Sequence, residues 1–403
     1  MHSLSRRASF WVAAAVVAIA LWTSAAPTVS YPLYAAEWNL TPVVTTAIFA
    51  VYPLVLVVVL VLFGNLSDYI GRRQAILYGL AASLGGVLLF ALAPNVGWIF
   101  VGRVLMGIGV GLSMSPATAA MVEFSAPGQE KRASSITTAS TAAGLALATL
   151  VGGVLIEYGP IPTHLNFWVL SAVVAGVAAA AWFLPRRTAA EAAGRWRPRP
   201  LAVPRGLRGS FAIAAAAVSG AFALGALILS LGVEIAQELI GSDNALVNGS
   251  VISLNAIVIG ASALLVRRWR SDVIIAVGGV MTLIGVALLL LSSMEHSLAL
   301  FLAAGIVTGV GYSSLFSGGL GLINATAPAH HRAGTVSSVY LVAYFLQGSI
   351  ALFLGASATA SGLQVALEIG VAVVAVLSVL AGGLAVTVGR PRALSPASSP
   401  EAA

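Results

Sequence analysis

The chain has 403 residues and a formal net charge of +7, with 8% charged positions against 59% hydrophobic ones. A soluble domain carries roughly 25% charged residues, so an ordinary globular protein is excluded, and the mean hydropathy of +0.99 makes the bilayer the natural solvent. With no cysteine, disulfides, thiol catalysis and thiolate metal sites are excluded as well.

Crossing a hydrocarbon core of about 30 Å takes roughly 20 apolar residues wound as helix, because a helix pairs its own backbone groups where there is no water. Apolar runs of that kind lie at 10–34, 42–63, 74–93, 96–121, 133–156 and 166–184, then at 211–232, 245–266, 272–292, 298–321, 334–357 and 363–388. They predict an all-α integral membrane protein with twelve transmembrane helices. The first run sits in "SRRASFWVAAAVVAIALWTSAAP", whose basic, apolar and small-residue order also suits a cleaved signal peptide. The apolar stretch continues through "TVSYPLY", however, and a repeat needs this helix as its first member.

The basic residues set the orientation. Nineteen of the 20 fall in alternate loops counted from the N-terminus, including Arg72 and Arg73, Lys131 and Arg132, seven arginines of the central stretch, and Arg332. The other loops hold none. By the positive-inside rule both termini are cytoplasmic, in a multi-pass protein of the inner (plasma) membrane. The positive charge therefore reports topology, and no nucleic-acid partner is expected.

Two loops resemble each other. "APGQEKRASS" from Ala126 follows the fourth run and "APAHHRAGTVSS" from Ala327 follows the tenth; Pro127 and Pro328, Arg132 and Arg332, and Gly109 and Gly309 are each about 200 residues apart. Gly64 and Arg72 have a fainter echo in Gly260 and Arg268. The sequence thus divides into an N-terminal six-helix half at 1–185, a Pro- and Arg-rich cytoplasmic linker at 186–210, a C-terminal six-helix half at 211–390, and a disordered cytoplasmic tail at 391–403. Two parallel six-helix halves form a plan used by secondary transporters, with the substrate site between them.

The densest polar stretch of the first third, "GNLSDYIGRR" from Gly64, lies between the second and third runs. It resembles the signature of the major facilitator superfamily, roughly Gly-x-Leu-x-Asp-Arg-x-Gly-Arg-Arg. Gly64, Leu66, Asp68, Gly71, Arg72 and Arg73 match, while Tyr69 stands where the family usually has Arg. The resemblance implies the fold of that superfamily and a gating cluster that latches the halves together on the inside in the outward-facing state. Gly64 would let helices pack closely, Gly71 would allow a tight turn, and Asp68 would end a helix beside a positive group. Arg72 and Arg73 also serve as plain topology determinants.

In the fourth run, "GRVLMGIGVGLSMSPA" resembles the family pattern Arg-x-x-x-Gly-x-Gly and places Arg103 in the membrane. A charge at helix centre costs roughly 2.5–3.5 kcal/mol on insertion scales. The resemblance implies a role in proton coupling or substrate contact; the competing reading is an arginine that snorkels to the outer interface or braces helices. The fifth run keeps Gly152 and Gly153 but lacks the Gly-Pro of many drug:proton antiporters.

The resemblance implies that the first, fourth, seventh and tenth helices line the cavity, with the second, fifth, eighth and eleventh at the sides. On that map Trp22, Ser24, Asn248, Asn255, Tyr312, Tyr340, Tyr344 and Gln347 are cavity-lining candidates. Tyr340, Tyr344 and Gln347 have helical spacing, as do Asn248 and Asn255. Each stripe fits a binding wall and interhelical hydrogen bonding equally well. Glu37, Glu234 and Glu368 lie near outer ends and Glu123 near an inner end, so no acid stands clearly at the midplane. There is no phosphate-cradling Gly-x-x-x-x-Gly-Lys motif, catalytic triad or metal spacing; neither an enzyme nor a cofactor is expected.

The resulting expectation is a monomeric secondary transporter exporting a hydrophobic or amphipathic small molecule, driven by protons. A metabolite uptake symporter and a non-transporting membrane sensor are the alternatives. Fusions to either terminus of alkaline phosphatase, which is active only outside, should be inactive, while a fluorescent protein at the same positions should mature; phosphatase activity at either end would overturn the orientation.

Overall fold

The computed structural model describes residues 4–126, 129–185, 203–239, 241, 244–266, 268–327 and 329–388. Pro127, Pro328 and Arg267 of the repeated loops, most of the linker (186–202) and the whole of the tail at 391–403 lie outside the described residues. Among the described residues every regular element is helical. Eleven helical stretches are long and apolar enough to cross a bilayer, and a further apolar helix of 17 residues lies at Leu165–Ala181. The twelve sequence runs thus correspond to twelve helical spans.

The helices are α1 (Arg6–Ala25), α2 (Tyr31–Trp38), α3 (Pro42–Phe63), α4 (Ser67–Ile70), α5 (Arg72–Ala91), α6 (Val96–Phe124) and α7 (Glu130–Tyr158). After these come α8 (Leu165–Ala181), α9 (Arg208–Glu234), α10 (Ala245–Val266), α11 (Ser271–Met294), α12 (Leu298–Thr326), α13 (Ala329–Ser361) and α14 (Leu363–Val388). Helices α6, α12 and α13 outrun their apolar stretches, because polar turns beyond the hydrocarbon keep the same backbone pairing.

Two spans are broken, and both breaks lie at the end of the bundle away from the chain termini. Between α1 and α2 the chain winds as a 3₁₀ turn, Ala26–Ser30, where Pro27 and Pro32 each remove a backbone donor and Pro27 leaves the Thr23 carbonyl without its helical partner. Beyond Glu234 the seventh span widens into a π-turn, Ile235–Leu239. Single π-turns in helices frequently mark functional positions.

Small residues set the packing within each half. A Cβ at Gly79 of α5 would lie 2.6 Å from the Gly109 carbonyl of α6, and one at Gly86 would lie 2.7 Å from the Gly102 carbonyl. The second half repeats this: Gly278 of α11 faces Leu315 of α12, and Gly285 meets Thr308. The same helix pair is thus built by the same close approach in both copies. The fainter echo is not a structural equivalence. Gly64 follows the end of α3, whereas Gly260 lies inside α10, its Cβ position 2.5 Å from that of Ala142 on α7.

The halves meet through α3 against α13 and α7 against α10. Towards the end away from the termini, the Val43 amide donates to the Thr359 hydroxyl (2.9 Å) and the Ala245 amide to the Glu157 carboxylate (2.9 Å). The hydroxyls of Thr149 and Ser253 are 2.6 Å apart. At the opposite end, Arg6 fastens the start of α1 to the last carbonyls of α6, at Glu123 and Phe124 (3.2 Å each).

Gly109→Val forces a branched side chain against the Gly79 backbone, and overpacking of this kind costs about 1–3 kcal/mol. Thermal denaturation of the detergent-purified protein should show a clearly lowered midpoint. Gly176→Ala, where a Cβ meets no atom within 4 Å, should leave it unchanged or raised.

Candidate functional site

Arg103 projects from α6 and is 0% exposed. Its Nη1 donates to the Ser24 carbonyl at 2.8 Å and its Nη2 to the Tyr31 hydroxyl. Its guanidinium carbon lies 5.8 Å from the centre of the Tyr31 ring and 5.6 Å from that of Tyr52. The arginine therefore does not reach the outer interface; it spans the break between α1 and α2. A carbonyl, a phenol and two ring faces partly replace its hydration, while Nε has no acceptor among the described residues.

A cluster of rings occupies the second half. Phe222 of α9 lies 4.6 Å from Tyr344 of α13 and 6.4 Å from both Tyr312 of α12 and Tyr340 of α13. Phe316 joins at 6.0 Å from Phe222. Tyr340 and Tyr344 stack at 6.1 Å, which their four-residue spacing on one helix face produces. Tyr312 and Gln347 both lie over Gly225, where a Cβ would be 3.5 and 3.4 Å away. Tyr344 packs against the apolar cores of both halves, so the cluster lies where the halves meet.

The other candidates divide. Trp22 is 8% exposed, with an indole nitrogen lacking a partner, and Ser24 serves Arg103 through its backbone carbonyl. Asn255 donates to the Gly305 carbonyl (2.7 Å) and the Thr308 hydroxyl (3.1 Å), which makes it a brace between α10 and α12. Asn248 is 1% exposed on the same helix. The amide stripe is therefore built into the second half, whereas the aromatic stripe is only partly covered.

At the other end, Gly71 has φ +88°, a conformation that favours glycine strongly, and it turns the chain from α4 into α5. The Asp68 carboxylate lies 3.4 Å from Arg72 Nη1, which also donates to the Ser67 hydroxyl at 3.0 Å. Arg73 stands over the Trp182 ring at 5.3 Å. Leu66 supplies the carbonyl that accepts from the Tyr69 and Ile70 amides. Gly64 departs from the expected role: a side chain there would meet the Leu60 carbonyl of its own helix, so the space concerns the local turn and not a neighbouring helix.

The sequence reading missed Tyr31, Tyr52, Phe222 and Phe316 as partners, and it treated Glu234 as one acid among several near an outer end. Glu234 is 9% exposed, and its Oε1 lies 3.2 Å from the Thr45 hydroxyl across the two halves. The Pro27 and Pro32 pair was the available signal for Tyr31; nothing in the spacing singled out Phe222.

A twelve-span bundle, two-fold repeated, with a buried cation in one half and a cluster of rings in the other, defines a class of polytopic membrane protein. The family model of the Major Facilitator Superfamily matches residues 10–352, and the chain belongs to that superfamily. It is 32% identical over 154 residues to the multidrug efflux pump LfrA of Mycolicibacterium smegmatis, covering 37% of this chain and 30% of that protein. Over 106 residues it is 34% identical to the puromycin resistance protein pur8 of Streptomyces alboniger, covering 25% of this chain and 20% of that one. The chain thus spans less than a third of the length of these relatives. Among solved structures, a POT family transporter in complex with 5-aminolevulinic acid superposes with a TM-score of 0.77 at 14% identity, covering 94% of this chain and 95% of that one. An inward-facing bacterial homologue of the lysosomal transporter Spinster gives 0.72 at 15%, covering 94% and 97%.

Arg103→Lys keeps the charge but loses the fork that reaches Ser24 and Tyr31 together. A charge-assisted hydrogen bond is worth about 1.5–3 kcal/mol, so transport should fall about tenfold or more at normal membrane abundance; undiminished transport would reduce Arg103 to a point charge.

Proposed function

We propose that the protein exports small hydrophobic or amphipathic compounds across the inner (plasma) membrane as a monomer, driven by protons, with both termini cytoplasmic. The observation that carries this reading is the ring cluster in which Tyr312, Phe316, Tyr340 and Tyr344 are partly exposed around the buried Phe222 and Gln347. Ring faces offer large apolar area with little conformational entropy to lose, and the phenols and one amide add a few oriented polar contacts. Such a surface suits cargo with a planar apolar body and a small polar part. The similarity to a multidrug efflux pump and to a puromycin resistance protein supports export over uptake or sensing.

On this reading the Asp68, Gly71, Arg72 and Arg73 turn is a gate on the cytoplasmic side, and Arg103 holds the break in the first span in the shape that cargo meets. The halves at 1–185 and 211–390 move against each other, with the linker at 186–210 long enough to allow it.

The test is uptake by inverted membrane vesicles of a panel of lipophilic dyes and antibiotics under an imposed pH gradient. Uptake should require an acidic lumen and collapse with a protonophore. Asp68→Asn should abolish it at unchanged abundance. A panel-wide absence of gradient-driven uptake, or full activity of Asp68→Asn, would overturn the corresponding part of the reading.

A further inference from the structure

We propose that Glu234 is a proton-operated latch between the two halves, neutral when the end of the bundle away from the termini is closed and ionised when that end opens. The proposal deepens the proton-coupled reading by naming a residue and the movement it controls.

The geometry counts hydrogens. The Thr45 hydroxyl lies 2.9 Å from the Pro42 carbonyl and 3.2 Å from Glu234 Oε1. It has one hydrogen and can satisfy only one of these oxygens. A helical Thr commonly gives that hydrogen to a carbonyl one turn back, which here is Pro42. The contact with Glu234 is then a hydrogen bond only if the carboxyl is protonated and donates to the Thr45 oxygen. The other carboxyl oxygen, Oε2, is buried without a partner among the described residues. An ionised carboxylate accepts from several donors, and leaving it buried with so few is strongly unfavourable.

The charged and titratable surroundings supply no counter-ion at hydrogen-bond distance. Glu238, one turn along the π-turn, carries the same sign and acts on Glu234. Tyr31, from the broken first span, lies within electrostatic range of Glu234, and its hydroxyl is engaged by Arg103. Glu157 of α7 is occupied by the Ala245 amide. On α14, Glu368 is exposed and bonded by Gln364 at 3.2 Å. Among the described residues α3, α10 and α12 bring no charged side chain to this end. Glu37 lies on α2, which packs against α9, and His296, after α11, is engaged by the Leu239 carbonyl at the far end of the π-turn; neither is bonded to Glu234, which faces the Arg103 charge only through Tyr31.

Protons have a route. A cavity of about 230 Å³ opens between the halves at this end, lined in part by Val233, Gln237 and Glu157. Its lining is part polar and includes Val233, the chain neighbour of Glu234, and it is large enough for several waters. Proton arrival forms one O–H bond on the carboxylate and breaks none in the protein. Loss of the proton leaves a charge that water hydrates better than Thr45 does, which favours separation of α9 from α3. The π-turn immediately after Glu234 is the local irregularity that lets the end of α9 shift without unwinding the helix.

The test needs no cargo. Because the chain has no cysteine, Tyr158→Cys and Ser361→Cys, both exposed at this end on opposite halves, give two unique spin-label sites. In lipid nanodiscs the label-to-label distance should be short at acidic pH and lengthen at alkaline pH. Glu234→Gln should keep it short at both, with the pH response lost. Thr45→Val, which removes the partner of the neutral acid, should leave a smaller closed fraction at acidic pH. A Glu234→Gln distance that lengthens with pH as in the unmodified chain, or an unmodified distance that ignores pH, would overturn the latch. The vesicle assay separates the two readings: a pH-responsive latch without gradient-driven uptake defeats proton-coupled export alone, and coupled uptake with a latch indifferent to Glu234 defeats the latch alone.

Discussion

Backbone amides and carbonyls in hydrocarbon must be paired, and that constraint shapes both the twelve spans and the places where they depart from regular helix. A departure is tolerated only where side chains or trapped water serve the freed groups. The first span departs at Ala26–Ser30, and Arg103 reaches across from α6 to take the Ser24 carbonyl. The seventh departs at Ile235–Leu239, one residue after a buried carboxyl. The seventh span packs against both the 3₁₀ turn and α2, so the two irregular stretches are neighbours across the halves. The buried charge and the backbone breaks belong to one arrangement.

Close backbone approach builds the contacts within each half and recurs between the halves, where a Cβ at Gly249 of α10 would meet the Thr149 carbonyl of α7. Inside each half, helices touch backbone to backbone: Gly79 against Gly109 in the first, Gly311 against the Thr282 amide at 2.8 Å in the second. Such fits lose dispersion contact over a whole helix length when disturbed. Between the halves, α13 also approaches α3 closely, as where a Cβ at Gly355 would lie 2.9 Å from the Pro42 carbonyl, and polar bonds among the described residues join the two as well. Each such bond contributes a net 0.5–1.5 kcal/mol or so, because water replaces it on separation. Where the halves meet at Thr149 and Ser253 both side chains are buried, so the hydroxyl pair there is satisfied within the protein.

The spans, their number and their register were legible because hydropathy and loop charge report the solvent directly. The polar features were less so. Gly71 was readable, since a glycine between two short polar runs implies a turn, and its φ is +88°. Asn255 and Tyr344 were not distinguishable by spacing: both belong to helical stripes, but one bonds the neighbouring helix and the other joins a ring cluster. That difference depends on helix rotation, which a uniformly apolar helix does not encode in its sequence. The importance of Glu234 was hidden for a related reason. Its position near a helix end suggested the interface, whereas the π-turn and α3 enclose it.

The two ends of the bundle hold their acids in contrasting ways. Asp68 is 23% exposed in its side chain and sits 3.4 Å from Arg72, so its charge is balanced within one turn of chain and wetted by the aqueous edge. Glu234 is enclosed and meets only a hydroxyl, so its charge is tolerated only when the surroundings change. The Asp68 turn is thus balanced by a neighbour in its own stretch of chain, whereas Glu234 depends on a hydroxyl supplied by the other half, so a change in how the halves meet bears directly on the second acid and not on the first.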